Sequence, residues 1–264
     1  MLMYIKSTFM EQSTVYRAGR FIPISAPPGT PLSLATASPV FTGWFERIDS
    51  RFDIQSIVVQ SVDVIQRGGA SHVIFVKLKA QILESDGHIS SKVVFLRGPA
   101  VGILVILVCE GRRYAVLARQ PRFAVGKLDS LEIPAGMLDG SGDFTGTAAR
   151  ELEEEVGLEI KVEDLVDLTA WASNGAWPGM YPSAGGCDEF IRLFLCEKEV
   201  SMRELADLEG KLTGLASEHE NIVLSLVVLE KLPFTTPDAK ALAAYCLYQE
   251  WAREREREKT VPQS

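Results

Sequence analysis

Long apolar runs are missing from this 264-residue chain. The longest, Ala100 to Cys109, is about half of what a bilayer-crossing helix needs and reads instead as a buried strand. Cysteine is scarce, and Cys109, Cys187, Cys196 and Cys246 lack the paired spacing of a zinc site; reduced thiols explain them. Positive charge is in deficit. A formal net charge of −8 argues against nonspecific nucleic-acid binding, which is driven by phosphate neutralisation. An anionic substrate would need local help from arginines and a metal. There is no internal repeat. What remains is an ordinary globular composition, 47% hydrophobic and 23% charged, long enough for one or two cores. The reading is a soluble protein that is not secreted, with no membrane or nucleic-acid partner.

Acidic residues are also rare in the first forty positions, where Glu11 stands against Lys6, Arg17 and Arg20 among many Ser and Thr. That composition fits an organellar transit peptide, and equally an ordinary terminus. The compartment expected is therefore cytoplasmic or organellar. Ala26-Pro27-Pro28-Gly29-Thr30-Pro31 would make a linker. Val40 to Ile48 suggests a short helix. Residues 56–66 and 72–84 alternate as strands around the turn Arg67-Gly68-Gly69-Ala70, and 91–96 adds another strand. Four regions are expected: an extension over 1–39, a small β-rich domain over 40–97 too thin to core well alone, a larger domain over 98–256, and a charged tail over 257–264. In the larger domain, strands at 99–108, 113–119, 166–172, 189–196 and 222–229 mix with helices near 201–208 and 237–256. The class is α+β with a mixed sheet.

The most informative stretch runs from Gly136 to Leu158. Arg150-Glu151-Leu152-Glu153-Glu154-Glu155-Val156-Gly157-Leu158 is patterned as a helix. At about 100° per residue, Glu151, Glu154 and Glu155 share one arc, while Ala149, Leu152 and Val156 face a core. Neighbouring carboxylates repel by roughly 0.2–0.5 kcal/mol per pair, and a hard divalent cation such as Mg²⁺ or Mn²⁺ would turn that into attraction. Three glutamates alone would read as a solvated acidic face. Gly157 as a helix stop, Arg150 four residues before Glu154, and the rigid Glu132-Ile133-Pro134-Ala135-Gly136 loop, whose glycine admits close backbone approach, reverse that preference.

The whole segment resembles a Nudix box: Gly, five residues, Glu, seven residues, Arg-Glu-apolar-x-Glu-Glu-x-Gly-apolar. Every fixed position matches except one, where Gly142 replaces the first glutamate. The resemblance implies a Nudix α/β/α sandwich with a mixed sheet. It also implies metal ligands at Glu151 and Glu155, help from Glu154, and a contribution from the Ala135 carbonyl. The missing glutamate usually braces the box arginine, Arg150; Asp143 could substitute, or Arg150 could rely on Glu154.

A Nudix box implies cleavage of a nucleoside diphosphate linked to another group. Arg119-Gln120-Pro121-Arg122 resembles the Arg-Gln-x-Arg segment of ADP-ribose and ADP-sugar pyrophosphatases, and two guanidiniums can fork onto phosphate oxygens. Arg97-Gly98 sits where those enzymes place another phosphate-binding arginine. Tyr181-Pro182-Ser183-Ala184-Gly185-Gly186-Cys187-Asp188-Glu189 is similar to their Ser-Pro-Gly-x-x-x-Glu loop, with Ala184 in the proline position. That likeness implies Glu189 as the base that activates water, with Asp188 as the fallback. Taken with Phe95 to Val101 and Pro134 to Asp139, the pattern looks most like plant-type ADP-sugar diphosphatases, relatives that also carry glycine at the Gly142 position. The implied reaction converts ADP-glucose or ADP-ribose to AMP and sugar phosphate in a homodimer whose N-terminal unit shapes the partner's site. Trp44 would stack on adenine or lie in interface core. The rival readings are an NADH or other dinucleotide pyrophosphatase, and a non-catalytic ADP-sugar-binding module.

Overall fold

The computed structural model describes residues 10–67, 69–138, 142–158, 160–214 and 221–260. Residues 1–9 of the start behind the targeting reading, Lys6 among them, lie outside the described residues, as does Asp139. Two compact units emerge: residues 1–98 with 183–189, and residues 99–182 with 190–264.

The first unit is built on a five-stranded sheet ordered β1-β2-β3-β4-β5. Its strands are β1 (Glu11–Arg17), β2 (Arg20–Ala26), β3 (Asp53–Arg67), β4 (Ala70–Leu83) and β5 (Ile89–Leu96). Between β2 and β3 the chain forms α1 (Leu32–Ala37) and α2 (Pro39–Arg47). Ser38 caps α2 by accepting from the Phe41 amide, with Pro39 in the first turn, where a missing N–H costs nothing. Alternation along β4 buries Val76, Leu78, Ala80 and Ile82, and the same core takes Ile22, Ile24, Ile57, Leu32, Phe41 and Phe45. The boundary expected at residue 40 is therefore displaced. Residues 11–26 form a hairpin, and Ile24 and Ser25 pair in parallel with Ile57 and Val58. A sheet face shared by five strands and two helices closes the core that three strands alone would lack. Trp44 packs edge-on to Phe41, their ring centroids 5.7 Å apart.

The second unit carries a mixed eight-stranded sheet, ordered β10-β11-β6-β7-β13-β12, with β8 on β7 and β9 on β6. The strands are β6 (Ala100–Cys109), β7 (Arg112–Arg122), β8 (Lys127–Glu132), β9 (Ala135–Met137), β10 (Leu165–Asp167), β11 (Ile191–Glu199), β12 (Leu212–Thr213) and β13 (Ile222–Val228). The helices are α3 (Phe144–Glu151), α4 (Leu168–Ser173), α5 (Met202–Leu208), α6 (Leu232–Thr235) and α7 (Ala239–Thr260). Strand β6 is central, parallel to β11, and apolar on both faces, as a doubly covered strand must be. Val101, Ile103, Val105 and Leu107 join Ala148, Leu152, Val156, Leu205 and Leu208 on one side. Ala100, Leu104 and Ile106 join Leu168, Leu229, Leu232, Ala241 and Ala244 on the other. This is the α/β/α sandwich.

Two expectations change here. The strand expected at 166–172 is three residues of strand followed by helix, because the Asp167 side chain accepts from the Ala170 amide and caps α4. The charged end expected as a tail from 257 is still helical to Thr260. All four cysteines are free thiols. No helix among the described residues is long and apolar enough to cross a membrane.

Candidate active site

The box helix is entered through a left-handed glycine and an N-cap. Gly142 has φ +75°, a left-handed conformation that costs a side-chain-bearing residue about 1–2 kcal/mol. Asp143 Oδ1 accepts from the Gly146 amide at 2.9 Å, capping α3. A Cβ at Gly146 would lie 2.1 Å from Asp143 Oδ2, so the cap depends on glycine there. The helix then departs from the regular arc that the sequence suggests. Leu152–Val156 is a π turn, closed at Gly157 (φ +69°) by the Gly157 amide donating to the Glu153 carbonyl. In this wider turn Leu152, Glu155 and Val156 are buried, Glu154 is half-buried and Glu153 is exposed. Arg150 Nη2 donates to Thr147 Oγ1 at 3.2 Å.

What the turn achieves is visible at β9. Ala135 and Gly136 pair with Gly102 and Val101 of β6, and the Ile103 amide donates to the Pro134 carbonyl. Glu155, only 5% exposed, accepts from the Ala135 amide through Oε2 at 3.1 Å. The Glu151 carboxylate lies against Gly136, where a Cβ would fall 1.8 Å from Glu151 Oε1. Ala135, Gly136, Glu151 and Glu155 are therefore in one place.

Among the described residues no three Asp, Glu, His or Cys side chains are already gathered around a cation position. Two carboxylates against the Ala135–Gly136 backbone nevertheless offer hard oxygen donors of the kind that Mg²⁺ takes in small number, water and substrate phosphate completing its shell. A carboxylate has about four lone-pair sites and can accept from an amide and a cation together. The donor set fits such a cation.

Of the two arginines expected to fork onto phosphate, Arg119 is exposed on β7, opposite Val223. Arg122 follows a register shift in the β7–β8 pairing, and its fork is engaged by Glu132, at 2.9 and 3.0 Å. Glu132 also meets Lys240 Nζ at 3.3 Å. Lys240 contacts Asp238 Oδ1 at 2.8 Å, and Asp238 Oδ2 accepts from the Ile133 amide at 3.1 Å. Burial alone would raise the Glu132 carboxyl, but the Arg122 fork and Lys240 outweigh it and hold it below the ordinary range. This four-charge network ties the loop before Ala135 to the start of α7.

The 183–189 loop belongs to the first unit. The Gly186 and Cys187 amides turn back onto the Ser183 carbonyl, and the Phe95 amide donates to the Gly186 carbonyl at 2.8 Å. The Asp188 side chain is 2% exposed. It accepts from the Arg97 and Gly98 amides at 2.8 and 3.1 Å and from Arg47 Nη2 at 3.1 Å. Three donors commit this carboxylate to holding the loop. Its neighbour Glu189 is buried and lies 3.2 Å from Arg97 Nε. That contact is ionic only, because Arg97 Nε is buried without a hydrogen-bond partner.

Sequence reasoning missed Arg47, Lys240 and Asp238. Asp238, directly ahead of a 22-residue helix, was legible as a helix-start residue; its reach to Ile133, 105 positions away, was not.

Residues 96–245 match the NUDIX domain family. Over 230 residues the chain is 39% identical to Nudix hydrolase 14, chloroplastic, of Arabidopsis thaliana, covering 83% of this chain and 73% of that protein. It is 31% identical over 124 residues to the ADP-ribose pyrophosphatase of Bacillus subtilis (strain 168), covering 47% of this chain and 59% of that protein. A crystal structure of an ADP compounds hydrolase superposes with a TM-score of 0.51 at 15% identity, covering 80% of this chain and 99% of that one, a likeness of fold. The chain belongs to the Nudix family and is a hydrolase of that family.

Proposed function

We propose that this protein hydrolyses the diphosphate of ADP-sugars, ADP-glucose or ADP-ribose, to AMP and sugar phosphate, with Mg²⁺ as the metal and Mn²⁺ able to replace it. The observation that carries the reading is the placing of Glu151 and Glu155 against Ala135–Gly136. The ADP-sugar assignment draws on the likeness of the Ser183–Glu189 loop and on what the B. subtilis relative and the solved ADP compounds hydrolase are named for.

Glu151, Glu155 and the Ala135 carbonyl would hold the cation, with Glu154 assisting. A bound divalent cation neutralises charge developing on a diphosphate and lowers the pKa of a bound water. The chain's own residues supply the rest. Glu189 takes the proton from the attacking water, a role worth roughly 10²–10⁴-fold. Arg97 keeps an unmet N–H, a donor suited to a phosphate oxygen. Arg119 is exposed on its strand and orients the diphosphate. Arg122 reaches phosphate only by sharing its fork with Glu132, and Lys240 keeps Glu132 compensated while it does so. Arg150 positions the box turn. The protein works as a homodimer in the cytoplasm or an organelle; the Arabidopsis relative is named as chloroplastic.

The test is product analysis with ADP-glucose, ADP-ribose, NADH and diadenosine polyphosphates. AMP with sugar phosphate from the first two, at the highest kcat/KM, supports the proposal. Preference for NADH or the diadenosine compounds overturns the substrate assignment.

A further inference from the structure

We infer that Thr213 and Gly214 are positioning residues for the box carboxylates, an inference that rests on the metal reading above. The last carbonyls of a helix have no partner within it, and a π turn shifts them out of the ordinary ladder. Here the Gly157 amide satisfies the Glu153 carbonyl at 3.0 Å. The next two carbonyls are met from elsewhere. The Gly214 amide donates to the Glu154 carbonyl at 3.2 Å, and Thr213 Oγ1 donates to the Glu155 carbonyl at 2.5 Å.

Thr213 is itself fixed. It pairs with Ile222 in the β12–β13 ladder, and the Leu224 amide donates to the Lys211 carbonyl at 2.9 Å. The short edge strand β12 and the glycine that follows it therefore grip the backbone of Glu154 and Glu155. A side chain leaves its backbone in a fixed direction, so the reach of Glu155 to the Ala135 amide depends on the shape of this turn. Thr213 touches no substrate in this account. It acts through Glu155.

Mn²⁺ binding to purified protein without substrate, followed by the paramagnetic signal of the free ion, tests this together with thermal unfolding. Thr213→Val keeps the branched shape and removes the donor; Thr213→Ser keeps the donor. Outer-shell partners are commonly worth about 10–100-fold in metal affinity. Thr213→Val is expected to weaken Mn²⁺ about tenfold, as Glu155→Gln does, while Thr213→Ser binds like wild type. Rescue by serine separates a lost donor from loosened packing. Wild-type binding by Thr213→Val beside a weakened Glu155→Gln overturns the inference alone. Wild-type binding by Glu155→Gln overturns the metal reading and the inference with it. Should the valine variant not fold, Mg²⁺ must slow exchange of the Gly214 amide in the wild-type protein, because coupling between two sites is reciprocal; unchanged exchange overturns the inference.

Discussion

The box turn and the 183–189 loop each present adjacent acidic residues, and in each the proposed function divides structural from chemical work between neighbours. In the loop, the Asp188 carboxylate accepts from the Arg97 and Gly98 amides and from Arg47, while Glu189 is ion-paired with Arg97. In the box, the division falls between backbone and side chain. The carbonyls of Glu154 and Glu155 hold the turn in place, and the Glu155 carboxylate is delivered to Ala135. A carboxylate saturated with donors is a clamp.

The largest effect expected comes from breaking this division in the loop. Glu189→Gln should lower kcat by roughly 10²–10⁴ with KM nearly unchanged, as for a lost general base, and leave the unfolding temperature close to wild type. Asp188→Ala should instead destabilise the fold by about 1–3 kcal/mol, since it takes the acceptor from the Arg97 and Gly98 amides. Equal losses of stability in the two variants, or normal turnover by Glu189→Gln, would show that the neighbours are not divided in this way.

A smaller effect concerns the ion network under Ala135. Glu132 has its folded-state carboxyl pKa below the ordinary 4.5. Its contribution to stability is thus complete above that value and disappears as pH falls through the lowered one. Glu132→Gln should cost about 2 kcal/mol near neutrality, a figure kept low because Arg122 is partly solvated. The gap to wild type should close between pH 4.5 and more acidic conditions in denaturant titrations. A gap that persists or widens on acidification contradicts the network.

The smallest effect is at Gly142. Glutamate there restores the usual box letter but must adopt φ +75°, at about 1–2 kcal/mol. Steady-state assays should find little or no gain in activity. A large gain would mean that the glycine is a defect, not part of the design.

Much of this was legible in the sequence because it is local. The box helix and its Gly157 stop, the hairpin turning at Arg67–Ala70, and the doubly buried β6 follow from spacing and periodicity alone. What escaped depends on distant partners. The β1–β2 hairpin joins a sheet only through Ile57 and Val58, some thirty residues downstream. The π turn is met by Thr213 and Gly214, and Asp188 is tied to the Arg97 and Gly98 amides, about ninety positions away. The helix at Leu168–Ser173 carries strand-like alternation and is set by its Asp167 cap.

That the Glu151 and Glu155 carboxylates serve a divalent cation is the proposal on which the other roles depend. It is tested most directly by assaying ADP-ribose and ADP-glucose hydrolysis in EDTA and again after adding Mg²⁺ or Mn²⁺. The expected result is no turnover in chelator and recovery with either metal. Full activity in EDTA would contradict it.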